Sequence, residues 1–163
     1  MTLLIDPTAR ISRLADIEDS VRGTRIVVGR NVVIESFVKI KPAGGSGDLI
    51  IGENTVINSG TVLYTGGGLS IGRNVAIAAG CVIAPVNHGY RARDRLIREQ
   101  GFDVSKGGIQ IEDDVWIGAN CVVLDGAVLK TGCVVGAMSL VRGVLNEYCI
   151  YAGNPLRCIG ERA

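Results

Sequence analysis

The sequence predicts an all-β fold, a triangular parallel β-solenoid, and three observations carry that reading. Residues 111–140 divide into blocks of six, IEDDVW, IGANCV, VLDGAV, LKTGCV and VGAMSL, each opening on an aliphatic residue. The fifth place of each block is small (Val115, Cys121, Ala127, Cys133, Ser139). A strict six is neither the helical period nor simple alternation, so it marks a structural repeat. The same frame recovers Ile71, Ile77 and Ile83, then Ile51, Ile57 and Leu63, then Val28, Ile34 and Ile40, then Ile5, Ile11 and Ile17. Extra residues, 23–27, 46–50, 69–70 and 89–110, fall only after a set of three blocks. Last, aromatic residues make up only 4% of the chain, as an interior filled from three sides would demand.

One turn is therefore three short strands, and every insertion leaves from the same corner. Successive coils pair their backbones about 4.8 Å apart, so six coils would rise roughly 29 Å. The first and fifth places of a block share a parity along the strand, and both point inward. The residue before each first place then points outward. On one face these outward residues run Val33, Val56, Ala76, Trp116, Val134, and on the next Val62, Val82, Val122, Leu140. The third column reads Gly45, Gly68, His88, Val128, Asn146. Two apolar stripes on a prism imply that two faces are covered, hence an oligomer.

Along the chain, the repeat begins at once, with Leu14, Ala15 and Val21 fitting and Arg13 and Asp19 neutral. Lys41–Asp48 and Gly66-Gly67-Gly68 read as tight corners; neither has the Lys-Ser/Thr flank of a nucleotide phosphate loop. The segment 88–110 is the main departure from the repeat, and its charges include Arg91, Arg93, Arg95 and Arg98 beside Asp94, Glu99, Asp103 and Lys106. A loop this long in a compact domain reads as a lid or arm over a site. From Gly143 the repeat fades, and 146–163 is expected to be a closing turn and a short tail.

At 163 residues the chain is expected to form one domain over 1–163, with the insertion at 89–110. A formal charge of +1 gives no reason to expect nucleic acid or an anionic membrane as partner. No apolar run approaches spanning length and MTLLIDPTAR lacks a secretory signature, so the cytoplasm is expected. Five cysteines without C-x-x-C spacing indicate neither a disulfide framework nor zinc. Cys81, Cys121 and Cys133 take the small inward place, as buried hydrophobes; Cys149 and Cys158 stay open.

The repeat, together with Asn87-His88 before the long loop, Asp114-Val115-Trp116-Ile117-Gly118-Ala119, Gly136-Ala137 and Ala152-Gly153-Asn154-Pro155-Leu156-Arg157, resembles the hexapeptide-repeat acyltransferases. Within them the resemblance is to the sugar O-acetyltransferase branch. It implies a left-handed parallel β-helix, of about six coils, and a homotrimer with sites between subunits. Because the repeat begins at once, no helical segment is expected ahead of it, which argues against the serine acetyltransferases. The resemblance implies transfer of acetyl from acetyl-CoA to a sugar-type hydroxyl, with no metal. His88, the only histidine, is by resemblance the general base: it deprotonates the acceptor hydroxyl, which attacks the acetyl carbonyl directly, with no covalent enzyme intermediate. Asp94, Glu99, Asp103 or main chain could orient its ring. Asn87, Arg91 and Arg93 are candidate acceptor contacts. Trp116, Gly118, Ala119, Ala137 and Arg157 match the coenzyme positions, and the Gly118 N–H is a candidate oxyanion donor. Where the family has Thr-Lys-Asp-Ile-Pro-Pro, this chain reads Arg142-Gly143-Val144-Leu145-Asn146-Glu147, so Arg142 stands in for the missing lysine. N-acetylation of an amino sugar, or a non-catalytic scaffold, are the competing readings; three histidine ligands for a carbonic anhydrase-type zinc are absent.

Overall fold

The computed structural model describes residues 2–163. Three parallel sheets form the sides of a left-handed β-helix. The first sheet has seven strands: Thr2–Ile5, Arg25–Val28, Leu49–Ile51, Leu69–Ile71, Ile109–Ile111, Val128–Leu129 and Val144–Leu145. The second has Arg10–Ile11, Val33–Ile34, Val56–Ile57, Ala76–Ile77, Trp116–Ile117, Val134–Val135 and Cys149–Ala152, closed by the antiparallel strand Arg157–Glu161. The third has six: Asp16–Ile17, Lys39–Lys41, Val62–Tyr64, Val82–Ala84, Val122–Leu124 and Leu140–Val141.

The inward column stacks like on like. In the fourth coil Ile71, Ile77 and Ile83 are all buried, each directly above a buried aliphatic residue of the third, Ile51, Ile57 and Leu63. From the second coil to the sixth, the chain turns the first and second corners three residues after such a residue, and the turning residue is left-handed. Asn31, Asn54, Asn74 and Asp114 do this at the first corner with φ of 55–58°. Asparagine and aspartate tolerate that conformation better than other side chains with a Cβ. Their repetition also builds a ladder: the Asn31 amide donates to Asn54 Oδ1 at 3.1 Å, and Asn54 donates to Asn74 Oδ1 at 3.2 Å.

Small polar residues at the inward fifth place have a job of their own. Thr55 donates to the Gly72 carbonyl (2.9 Å), Thr61 to Ala78 (3.1 Å), Cys81 to Gly118 (3.2 Å) and Cys121 to Gly136 (3.1 Å). Each saturates a corner carbonyl that turns away from the ladder, where an unpartnered buried acceptor would be costly.

Cys81, Cys121 and Cys133 are buried as expected, Cys149 is buried beneath the last strands, and Cys158 is exposed. Burial pushes the Cys133 thiol up to about 12, and the adjoining Cys121 together with burial holds Cys81 protonated. Since a reagent must reach the sulfur to react, alkylation of the native protein should modify the exposed Cys158 within minutes and spare Cys81, Cys121 and Cys133, whose side chains are fully buried. Peptide mass spectrometry after brief labelling checks this, and early modification of any of the three would mean they do not face the interior.

Two expectations need correction. The residues counted as insertions do not all leave the prism: Ile26, Leu49, Leu69 and Ile109 are buried inward, because their first-sheet strands begin two or three residues before the frame's first place. The third outward column is consequently not Gly45, Gly68, His88, Val128, Asn146. Register places Leu4, Val27, Ile50, Ser70, Gln110, Val128 and Val144 there, with Leu4, Ile50 and Val144 exposed. The repeat also continues past Gly143. The corner after Val141 is shortened, so Leu145 and Tyr151 take the inward places of a seventh, incomplete coil.

Candidate active site

Every long connection leaves from the third corner, between the third and first sheets, and the longest carries His88. Its two limbs pair where they meet the prism. The Asp103 N–H donates to the Asn87 carbonyl (2.8 Å), and the Gly89 N–H donates to the Gly101 carbonyl (3.0 Å), which sets His88 opposite Phe102. The imidazole stacks on the Phe102 ring, centroids 4.8 Å apart and planes 26° from parallel. Its Nδ1 lies 3.3 Å from the Gly101 carbonyl oxygen. A carbonyl only accepts, so Nδ1 carries the proton in this contact and Nε2 keeps its lone pair. The orienting group is main chain, and Asp94, Glu99 and Asp103 do not serve.

Beyond this pairing the arm is folded on itself. The Gln100 side chain accepts from the Ala92 N–H (3.0 Å) and donates to the carbonyls of Ala92 (2.9 Å) and Arg95 (3.1 Å). Its return limb is fastened to the fifth coil by Asp125, whose carboxylate accepts from Ser105 Oγ (2.9 Å), the Lys106 N–H (2.6 Å) and the Gly108 N–H (3.0 Å). The glycine corners lie directly beneath. A Cβ at Gly44 would stand 2.6 Å from Val86 Cγ1 and 3.3 Å from Phe102, and one at Gly67 would collide with Ser105.

Between the arm and the corners of the fifth and sixth coils runs a groove of about 830 Å³, lined by Asn87, Tyr90, Arg91, Asp103, Lys106 and Arg142, among others. Of the expected acceptor contacts, Asn87 and Arg91 line it and Arg93 does not. Arg142 lines it as well, and His88 itself is not among the lining residues.

The other expected coenzyme residues are elsewhere. Trp116 projects from the second sheet, 52% exposed. Gly118, Ala119 and Ala137 form the second corner, and Arg157 sits opposite Ala152 on the closing antiparallel strand. The full width of the third sheet separates them from His88. The Gly118 N–H donates to the Val135 carbonyl at 2.7 Å, so it is not available to an oxyanion. A Cβ on Gly118 would stand 2.5 Å from the Ala137 nitrogen, so coil stacking alone demands glycine there. The N–H groups of Ala119 and Ala137 make no hydrogen bond among the described residues.

Phe102, Gln100 and Asp125 are the site residues that sequence reasoning did not find. Each acts on a group far along the chain or on main chain, and no spacing signals that. Among the described residues no three potential metal ligands gather, and no helix is long and apolar enough to cross a membrane.

Comparison with known proteins bears on this geometry. The family described as bacterial transferase hexapeptide (six repeats) matches residues 108–143, and the hexapeptide repeat of succinyl-transferase matches residues 48–85. A probable acetyltransferase of Mycobacterium tuberculosis is 32% identical over 85% of this chain and 45% of its own length. A putative lipopolysaccharide biosynthesis O-acetyl transferase of Escherichia coli is 31% identical over 72% of this chain and 62% of its own. The chain thus spans about half to three-fifths of these relatives. Among solved structures, a single-residue variant of an N-acyltransferase from Bacillus cereus, in complex with dTDP-4-amino-4,6-dideoxyglucose and coenzyme A, superposes with a TM-score of 0.82 at 27% identity, over 99% of this chain and 83% of that one. A maltose O-acetyltransferase from Clostridium difficile shares the fold at 24% identity, with a TM-score of 0.65 over 83% of this chain and 69% of that one.

Proposed function

Because the chain belongs to the hexapeptide-repeat transferase family, we propose that it transfers an acetyl group from acetyl-CoA to a hydroxyl of a sugar or surface-polysaccharide precursor. The observation that carries this reading is the setting of His88: its Nδ1 is occupied by the Gly101 carbonyl and its Nε2 is free. A ring so held acts as a general base. Nε2 takes the proton of the acceptor hydroxyl as the oxygen attacks the acetyl carbonyl. The carbon–sulfur bond then breaks, and the imidazolium returns the proton to the departing thiolate.

Asn87 and Arg91 hold the acceptor in the groove. Trp116, Ala119 and Ala137 flank the pantetheine arm, with Gly118 as the close-packed floor, while Arg142 and Arg157 meet its phosphates. One copy keeps its base and its coenzyme corner on opposite edges of the third sheet, so the complete site lies between copies in a homotrimer. From the third coil onward the outward residues of that sheet, Val62, Tyr64, Val82, Ala84, Val122, Leu124 and Leu140, supply an apolar interface, while the first two coils place the charged Asp16, Lys39 and Lys41 in the same columns. Five free thiols suit a reducing compartment, and a cytoplasmic single domain completes the proposal.

The relative named for lipopolysaccharide O-acetylation favours a hydroxyl acceptor. The likeness to the N-acyltransferase favours an amine on a nucleotide-linked sugar as the second reading. Coenzyme A release from acetyl-CoA, measured over matched hydroxyl and amino sugars in free, nucleotide-linked and lipid-linked form, separates them. O-acetylated product supports the first reading, N-acetylated product the second, and no release with any acceptor removes both.

A further inference from the structure

The Asp125 carboxylate accepts three hydrogen bonds, all from residues 105–108 at the foot of the return limb. Ser105 Oγ, thus engaged, also receives the N–H groups of Gly107 and Gly108 at 3.1 Å each. Between this foot and the base the path is short. Val104 joins Ser105 to Asp103, whose N–H is on the Asn87 carbonyl, and Phe102 and Gly101 contact the His88 ring. Apart from this foot, the outer arm is tied mainly to itself through Gln100. Asp125 is also bound by its own corner, for Gly126 at φ +83° lies so close that a Cβ would stand 2.9 Å from the Lys106 Cβ.

We propose that Asp125 is a positioning residue: by clamping residues 105–108 to the fifth coil it sets where Gly101 and Phe102 stand, and through them the aim of His88. This rests on the acyl-transfer reading for its kinetic consequence but not for its structural one. Reacting groups tolerate little misplacement, and about 1 Å of error can cost on the order of 10²-fold in rate. The clamp touches neither the second-corner coenzyme positions nor the buried column, so coenzyme binding and coil stacking should survive its removal.

The test uses the full chain carrying Asp125→Ala, Asp125→Asn or Ser105→Ala. The arm displays Arg91, Arg93, Arg95 and Arg98, all exposed, so native-state trypsin cleavage reports its anchoring. His88 is the only histidine, so its ring nitrogen resonances report the Nδ1 contact without interference. With Asp125→Ala, arm cleavage should rise at least about tenfold and the protected Nδ1–H signal should be lost. At the same time kcat should fall by about 10–100-fold while KM for acetyl-CoA stays within about twofold. Asp125→Asn keeps one acceptor oxygen but turns an N–H toward the Lys106 N–H, so its effects should lie between Asp125→Ala and wild type. Ser105→Ala removes one of the three bonds and should shift the same readouts less; it carries the test if Asp125→Ala does not fold. Unchanged cleavage, or unchanged kcat in a wild type that transfers, overturns the proposal. Faster cleavage and a lost Nδ1–H signal in a protein whose wild type transfers nothing leave the clamp standing and remove the acyl-transfer reading.

Discussion

Replacing His88 by alanine should lower acetyl transfer by roughly a factor of 10²–10⁴, the usual contribution of a positioned base. The fold should be unaffected, since the ring is exposed and its contacts are confined to Gly101 and Phe102 of the same arm. Coenzyme A should bind with similar affinity, because its proposed contacts lie largely on the second corner. Steady-state kinetics beside calorimetric titration with coenzyme A measures both the lost transfer and the retained affinity. A folded His88→Ala protein with normal transfer would end the general-base mechanism.

Val122→Glu should have an effect of similar size by a different route. Val122 stands between Val82 and Leu140 on the outward face of the third sheet, pointing away from the core. A carboxylate there would be brought into an apolar interface without a partner, at a cost of several kcal/mol. The chain should then sediment as a 17.1 kDa monomer with intact β structure, and transfer should fall by at least about 10²-fold because each site loses one half. Complementation sharpens the test. His88→Ala and Ala119→Trp subunits, each inactive alone, should regain activity when co-assembled. In a random ring about a quarter of the sites would pair an intact arm with an intact corner. A fully active Val122→Glu monomer would show that a single chain holds the whole site.

Much of this architecture was legible because a period of six is written into the chain one residue at a time. The inward Ile57, Ile77, Ile117 column and the buried Cys81 and Cys121 follow from counting alone. Counting failed where the period did. The shortened corner between Val141 and Leu145 advanced the frame, which hid the seventh coil and put Asn146 in place of Val144 in the outward column. Asn87, His88 and Arg91 were legible through their motif and loop, whereas Arg142, read as a coenzyme contact, lines the same groove as Asn87 and Arg91. The carbonyl that orients His88, the ring of Phe102 and the clamp at Asp125 were not. They depend on which residues the coils bring to one level, and main-chain acceptors have no residue identity to read.

The third corner has a consequence for how such a chain changes over time. Connections of very different length, from the two glycine corners to the 88–108 arm, all depart there, while the strands on either side keep register from coil to coil. Length variation is thereby quarantined from the ladder, and closing a longer loop adds only slowly growing entropy. The corner works as an exchange port: arms of new sequence can be grafted onto it, altering what is recognised, while the scaffold that stacks the coils is inherited unchanged.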